Sequence, residues 1–212
     1  MTLKLHCMGE SGNAYKAALA LELSALDWEP VFVDFFGGET RTPEWRNNVN
    51  ELGEVPVLDT GSEMLSQSGV IQAWITAKSG KFGGEPGEEL EVLRWVLFDN
   101  HKVSSQAGVL RFLMNFLPEE KRPKEVIPWL AARLKAALTT LEGHLEGKDW
   151  IVGSEPTNAD ISNCGYLFYP EPFTFERKEY PNIDRWLSNI QALPGWKHPY
   201  DLMPGRPSDR GL

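Results

Sequence analysis

The 212-residue chain carries a formal net charge of −9, with 42% hydrophobic and 24% charged residues, a profile that fits a globular protein of one or two domains with a sizeable core. Its lysines and arginines are scattered rather than clustered, which argues against a nucleic-acid footprint or a polybasic membrane contact and leaves any small anionic ligand in need of a local positive site. No stretch approaches the roughly 20 apolar residues of a membrane span.

The N-terminus, MTLKLHCMGESG, is too short in apolar run for a secretory signal, so a reducing, cytoplasmic setting is expected. Cys7 and Cys164 stand far apart with no CxxC, and the four histidines are scattered, so neither a disulfide framework nor a metal is expected. Strand and helix patterns then alternate. LKLHCM reads as a strand, NAYKAALALELSAL as a helix with Ala14, Ala17, Ala18, Leu21 and Ala25 on one face, WEPVFVDFF as a strand and TPEWRNNV as a helical turn. Residues 56–65 read as a hairpin around Thr60-Gly61-Ser62, and Ser68 precedes the helix GVIQAWITAK. The result is a β-α-β unit followed by a β-β-α unit, with the first two strands parallel by the crossover rule.

SGKFGGEPGEE reads as a linker, and beyond it strand signals nearly vanish. Two long helical patterns, EELEVLRWVLFDNHKVSSQAGVLRFLMNF and PKEVIPWLAARLKAALTTLEGHLE, are followed by the shorter PNIDRWLSNIQAL, which predicts an all-helical second domain. PTNADI offers Thr157 as an N-cap with Asp160 three residues on, a short-armed capping box, and GRPSDRGL reads as a loose tail. The boundaries expected are 1–78, a linker at 79–87, a helical domain at 88–200 and a tail at 201–212.

The chemistry-bearing candidates cluster in the first domain. Ser11 lies in a glycine-bracketed loop, MGESGN, where a helix start favours a negative charge; it or Asn13 can equally cap the helix. No G-x-S-x-G elbow marks a nucleophilic serine. Pro56 opens a strand although it cannot donate to the ladder. It either starts an edge strand or belongs to a cis Val55-Pro56 bond that turns the Val55 backbone outward to an extended ligand. Ser68 caps the third helix or lends its hydroxyl and N–H to a carboxylate, with Gln67 beside it. Arg41 is one of few cations near these loops. Asn100, His101 and Ser104 continue the stripe of Leu93 and Leu97 in polar form, as a cleft wall or an exposed middle of the helix. Cys7 and Cys164 read as buried, inert thiols.

Together, ESGNAYKAALAL, ELGEVPVLDTGSEMLSQSGVIQAW, the acidic linker, the helical half and PTNADIS resemble the soluble glutathione transferases over residues 2–200, the V-P pair followed about ten residues later by Q-S being the most specific part. The resemblance implies a thioredoxin-like N-terminal domain with a mixed four-stranded sheet, an all-α C-terminal domain and a homodimer. It implies glutathione as co-substrate, no metal, and a small hydrophobic electrophile held near Asn100, His101 and Ser104. By that likeness Val55 and Pro56 take the cysteinyl unit of glutathione, Gln67 and Ser68 the γ-glutamyl end, and Ser11 contacts the sulfur, with Asn13 and Arg41 nearby. Glu51, Glu54 and His6 depart from the family pattern, and Glu54 is expected near the glycyl carboxylate, where it would repel unless Arg41 offsets it.

The implied activity is thiolate activation. A free thiol of pKa about 8.5 is only a few per cent ionised at neutral pH, and lowering that by two units takes about 2.7 kcal/mol. One charge-assisted hydrogen bond offers about 1.5–3 kcal/mol and a helix N-terminus up to about 2 kcal/mol, so the Ser11 hydroxyl and the first helix suffice. Conjugation, a detoxification chemistry, is the expected function, and glutathione-dependent reduction or ether cleavage would use the same site. A non-catalytic interaction or regulatory module built on the same fold is the alternative.

Overall fold

The structure, a computed structural model, describes residues 2–210. The described residues up to Lys81, together with those from Pro194 onward, form one compact unit, and Phe82–Leu193 form a second. The last segment therefore belongs to the first unit and not to the helical domain or a loose tail. Backbone and side-chain groups both hold it: the Gly9 N–H donates to the Pro204 carbonyl at 2.6 Å, the Tyr15 hydroxyl donates to the Lys197 carbonyl at 2.9 Å, and the Lys197 ammonium pairs with Glu22 at 2.6 Å.

The first unit is built in chain order from β1 (Leu3–Cys7), α1 (Gly12–Leu23), β2 (Trp28–Phe32), α2 (Pro43–Asn48), β3 (Val57–Asp59), β4 (Met64–Ser66), α3 (Ser68–Ser79) and, from the C-terminal segment, α9 (Pro199–Leu202). The sheet runs β2-β1-β3-β4, with β1 parallel to β2 and the other pairs antiparallel, which is the thioredoxin-like plan expected. Strand alternation divides its two faces. The pair Leu5↔Leu58 lies on one face, fully buried. The pair His6↔Val57 lies on the other, where the His6 ring meets Trp45 of α2 edge-on at 5.8 Å.

The spacing of α1 predicts one apolar face, yet Ala14 to Leu21 are all buried, Lys16 included. The small alanines let β1, α3 and α9 close around the helix, so it becomes an interior element.

The second unit contains α4 (Glu89–Phe98), α5 (Ser105–Arg111), α6 (Val126–His144), α7 (Asn158–Asn163) and α8 (Pro181–Gln191). The first long helical pattern is one continuous helix whose turns at Asp99–Ser104 and Phe112–Phe116 widen to π geometry. The capping box at Thr157 and Asp160 forms as the sequence indicates. The fully buried Asp160 carboxylate also accepts from the Ile151 N–H at 2.9 Å and the Trp186 indole N–H at 2.8 Å, tying α7 to α8 and to the preceding loop. Burial pushes this carboxyl up to about 6, against the pull of those donors. Among the described residues no helix is long and apolar enough to cross a membrane.

Candidate active site

The strand register brings the sequence candidates of the first unit to one end of the sheet. His6↔Val57 and Cys7↔Phe32 place the exits of β1 and β2 beside the entrance of β3, and Val57↔Ser66 places the exit of β4 there too. The β1–α1 loop carrying Ser11, the Val55-Pro56 pair and the Gln67-Ser68 pair therefore leave from the same edge. The Val55–Pro56 peptide bond is cis, and Val55 lies outside the ladder, which ends at Val57. Its side chain packs on the cluster of Val33, Trp45 and Val57.

Ser11 is half-buried and caps α1: its hydroxyl oxygen accepts from the Ala14 N–H at 3.2 Å, while its own N–H donates to the Met8 carbonyl at 3.1 Å. Accepting that bond uses a lone pair and leaves the hydroxyl proton to donate elsewhere, so capping and thiolate contact are compatible. Asn13, in the first turn, accepts from the Lys16 ammonium at 3.0 Å. Ser68 is the first residue of α3 and buried, and Gln67 precedes it at φ +69°, a left-handed conformation that few side-chain-bearing residues adopt.

Glu54 turns out to face Gln67. The Gln67 side-chain amide donates to the Glu54 carboxylate, and the buried Asn50 amide holds the Glu54 carbonyl at 3.2 Å. The carboxylate expected at the glycyl end thus points toward the Gln67-Ser68 end, because Asn50 also caps the Leu52 N–H and fixes the turn that aims it. In the same loop Gly53 has φ +68°, and a Cβ there would come within 2.8 Å of the Thr40 carbonyl, so this close approach requires glycine. Arg41 is exposed on a 3-10 turn at Glu39–Arg41, whereas Arg46 reaches back to donate to the Glu51 carbonyl at 2.9 Å. Arg46, and not Arg41, is the cation that holds this loop, and its place on α2, one turn before the loop, is the signal the sequence offers for it.

A cavity of about 420 Å³ adjoins the Ser11 loop, with Met8, Phe32, Phe35 and Phe36 on its wall beside the carboxylate residues Glu10, Asp34 and Asp209. The Phe35 and Phe36 rings meet edge-on at 5.8 Å, and Phe32 is half exposed. In the second unit Asn100 and His101 are exposed on the first π turn. Ser104 points inward instead of lining an opening: it is buried and its hydroxyl donates to Asp99 at 2.7 Å, as the Ser162 hydroxyl does from the other side. Burial pushes the Cys7 thiol up to about 12 and lowers the His6 imidazole, so neither supplies a thiolate or an imidazolium at neutral pH.

Family models support this geometry. The N-terminal domain of glutathione S-transferase matches residues 1–77, and the C-terminal domain of glutathione S-transferase matches residues 103–194. The chain belongs, in both its domains, to the glutathione S-transferase family. A solved glutathione S-transferase from Xanthobacter autotrophicus Py2 superposes with a TM-score of 0.86 at 28% identity, covering 100% of each chain. A glutathione transferase from Burkholderia graminis, solved with two glutathione molecules bound per subunit, superposes with a TM-score of 0.80 at 26% identity over 92% of this chain and 85% of that one. Among curated relatives, elongation factor 1-gamma 1 of Oryza sativa subsp. japonica is 28% identical over 204 residues. The match covers 93% of this chain but spans only 48% of that relative's length.

Proposed function

We propose that the chain is a glutathione transferase. Val55 pairs its backbone with the cysteinyl unit of glutathione beside Pro56, Gln67 and Ser68 hold the γ-glutamyl end, and Ser11 donates its hydroxyl proton to the sulfur. Asn13 sits in the first turn of the helix whose positive end faces the thiolate, and Arg41, an exposed cation, takes the glycyl carboxylate. The observation that carries the reading is the strand register, which supports a common edge for Ser11, Val55-Pro56 and Gln67-Ser68.

With an aryl halide, the thiolate forms a C–S bond, halide leaves with the C–X electron pair, and the thiol proton has already passed to solvent. The serine stays uncharged throughout and forms no covalent intermediate. The cavity beside the Ser11 loop offers the rings of Phe32, Phe35 and Phe36 to an aromatic electrophile, with Glu10, Asp34 and Asp209 setting a polar, acidic side, whereas Asn100 and His101 are exposed and Ser104 points inward. Cytoplasmic detoxification as a homodimer completes the proposal.

A second reading, a non-catalytic interaction module, is favoured by the match to an elongation factor over about half of that protein's length. Retention on immobilised glutathione together with conjugation of an aryl halide supports the enzyme; a folded sample that shows neither supports the module.

A further inference from the structure

The γ-glutamyl end of glutathione is a free α-amino acid, with a carboxylate and an ammonium on the same carbon. A helix start with a buried serine suits the carboxylate only. The ammonium has three donors and no acceptor, and it loses water when the ligand docks, so a site that selects it must set an acceptor beside the carboxylate's donors.

Glu54 meets that requirement. Its carboxylate is held by the Gln67 side-chain amide, on the residue immediately before Ser68. Its backbone is fixed by Asn50, so both ends of the side chain are anchored. One amide donor occupies one of about four lone-pair positions of a carboxylate and leaves the rest to accept. Among the described residues no lysine or arginine forms an ion pair with Glu54. Gln67 cannot do this work itself, because its amide nitrogen is a donor already turned toward Glu54, and its neutral oxygen would accept an ammonium far less strongly than a carboxylate.

We infer that Glu54 is the specificity residue for the α-ammonium group of the γ-glutamyl end, so that the site selects thiol peptides bearing a free α-amino acid over their deaminated or N-acylated counterparts. The inference rests on the glutathione reading above and adds to it a role for a residue that the sequence marks only as a departure. Glu54 acts here as an ammonium acceptor, with Gln67 as the residue that positions it.

The test is calorimetric binding of glutathione and of its deaminated analogue, in which a glutaryl group replaces γ-glutamyl, to the parent chain and to Glu54→Gln. The substitution keeps shape and removes charge. Glutathione affinity is expected to fall about 10-fold to 100-fold, the range for a hydrogen bond to a charged group. Affinity for the deaminated analogue should stay within about twofold, which also shows that the variant is folded around an intact site. Equal losses for the two ligands, or no loss for either, overturn the role of Glu54 alone. Failure of the parent chain to bind glutathione overturns the reading beneath it and the inference together.

Discussion

The hydroxyl oxygen of Ser11 accepts the Ala14 N–H at 3.2 Å, so the residue proposed to face the sulfur of glutathione is also the N-cap of α1. One group then serves stability and chemistry through different atoms, a lone pair and a proton. Ser11→Ala should cost about 1 kcal/mol of stability, the usual loss of a capping hydroxyl. Urea unfolding of parent and variant measures it; an unchanged midpoint would mean that Ala14 finds another acceptor.

Asp160 makes the second unit sensitive to pH. Its folded pKa is raised to about 6 by burial, above the ordinary carboxylate value of 3.8, so the folded chain holds the proton more tightly than the unfolded one. Between about pH 4 and 6 the unfolded state has released a proton that the folded state keeps, and the contribution of this group to stability therefore falls as pH rises through that window. Above pH 6 both states are ionised and the contribution is constant. Thermal unfolding of Asp160→Asn across pH 4–7 should lack this decline. The variant should also be less stable throughout, by about 2–4 kcal/mol, because an amide nitrogen replaces one oxygen that accepts two of the donors.

Gly9 decides where the C-terminal segment lies. A Cβ there would come within 2.0 Å of the Gly205 carbonyl oxygen, which backbone must move to relieve. Gly9→Ala should lose about 1–3 kcal/mol and render the chain beyond Met203 sensitive to protease. Wild-type resistance to cleavage in the variant would place the hold of this segment elsewhere.

Leu90, Leu93 and Leu97 are 79%, 49% and 58% exposed on one face of α4. Single exposed leucines are ordinary, but three at successive turns form a stripe that the proposed homodimer would cover. Leu93→Glu with Leu97→Arg should shift sedimentation toward the monomer without unfolding the chain; an unshifted dimer would exclude this face from the interface.

How far the sequence carried these conclusions depends on how local the signal was. Pro56, Thr157 and Asp160 are legible because proline chemistry and capping act over one to four residues, whereas Ser68, read as a possible cap, is the first residue of α3 behind Gln67, which makes no side-chain cap bond. The direction of Glu54 is not legible, since it follows from the turn fixed by Asn50 and the left-handed backbone of Gln67, neither of which has a periodicity. The segment around Pro204 reads as tail because it is polar and glycine-containing, yet the Gly9 N–H holds it and Leu202 and Met203 are buried, contacts with residues far away in sequence that leave no periodic pattern. The burial of α1 on nearly every side was hidden by alanine, which suits an exposed face and an interior equally well.

The account stands or falls on the ionisation of bound thiol. Ultraviolet titration of glutathione thiolate on the parent chain and on Ser11→Ala, at saturating ligand, measures it directly. The account predicts a bound-thiol pKa about two units below that of free glutathione in the parent, returning most of the way in the variant. A bound thiol that titrates like free glutathione in the parent, or identically in the two proteins, would contradict a role for Ser11 in thiolate activation.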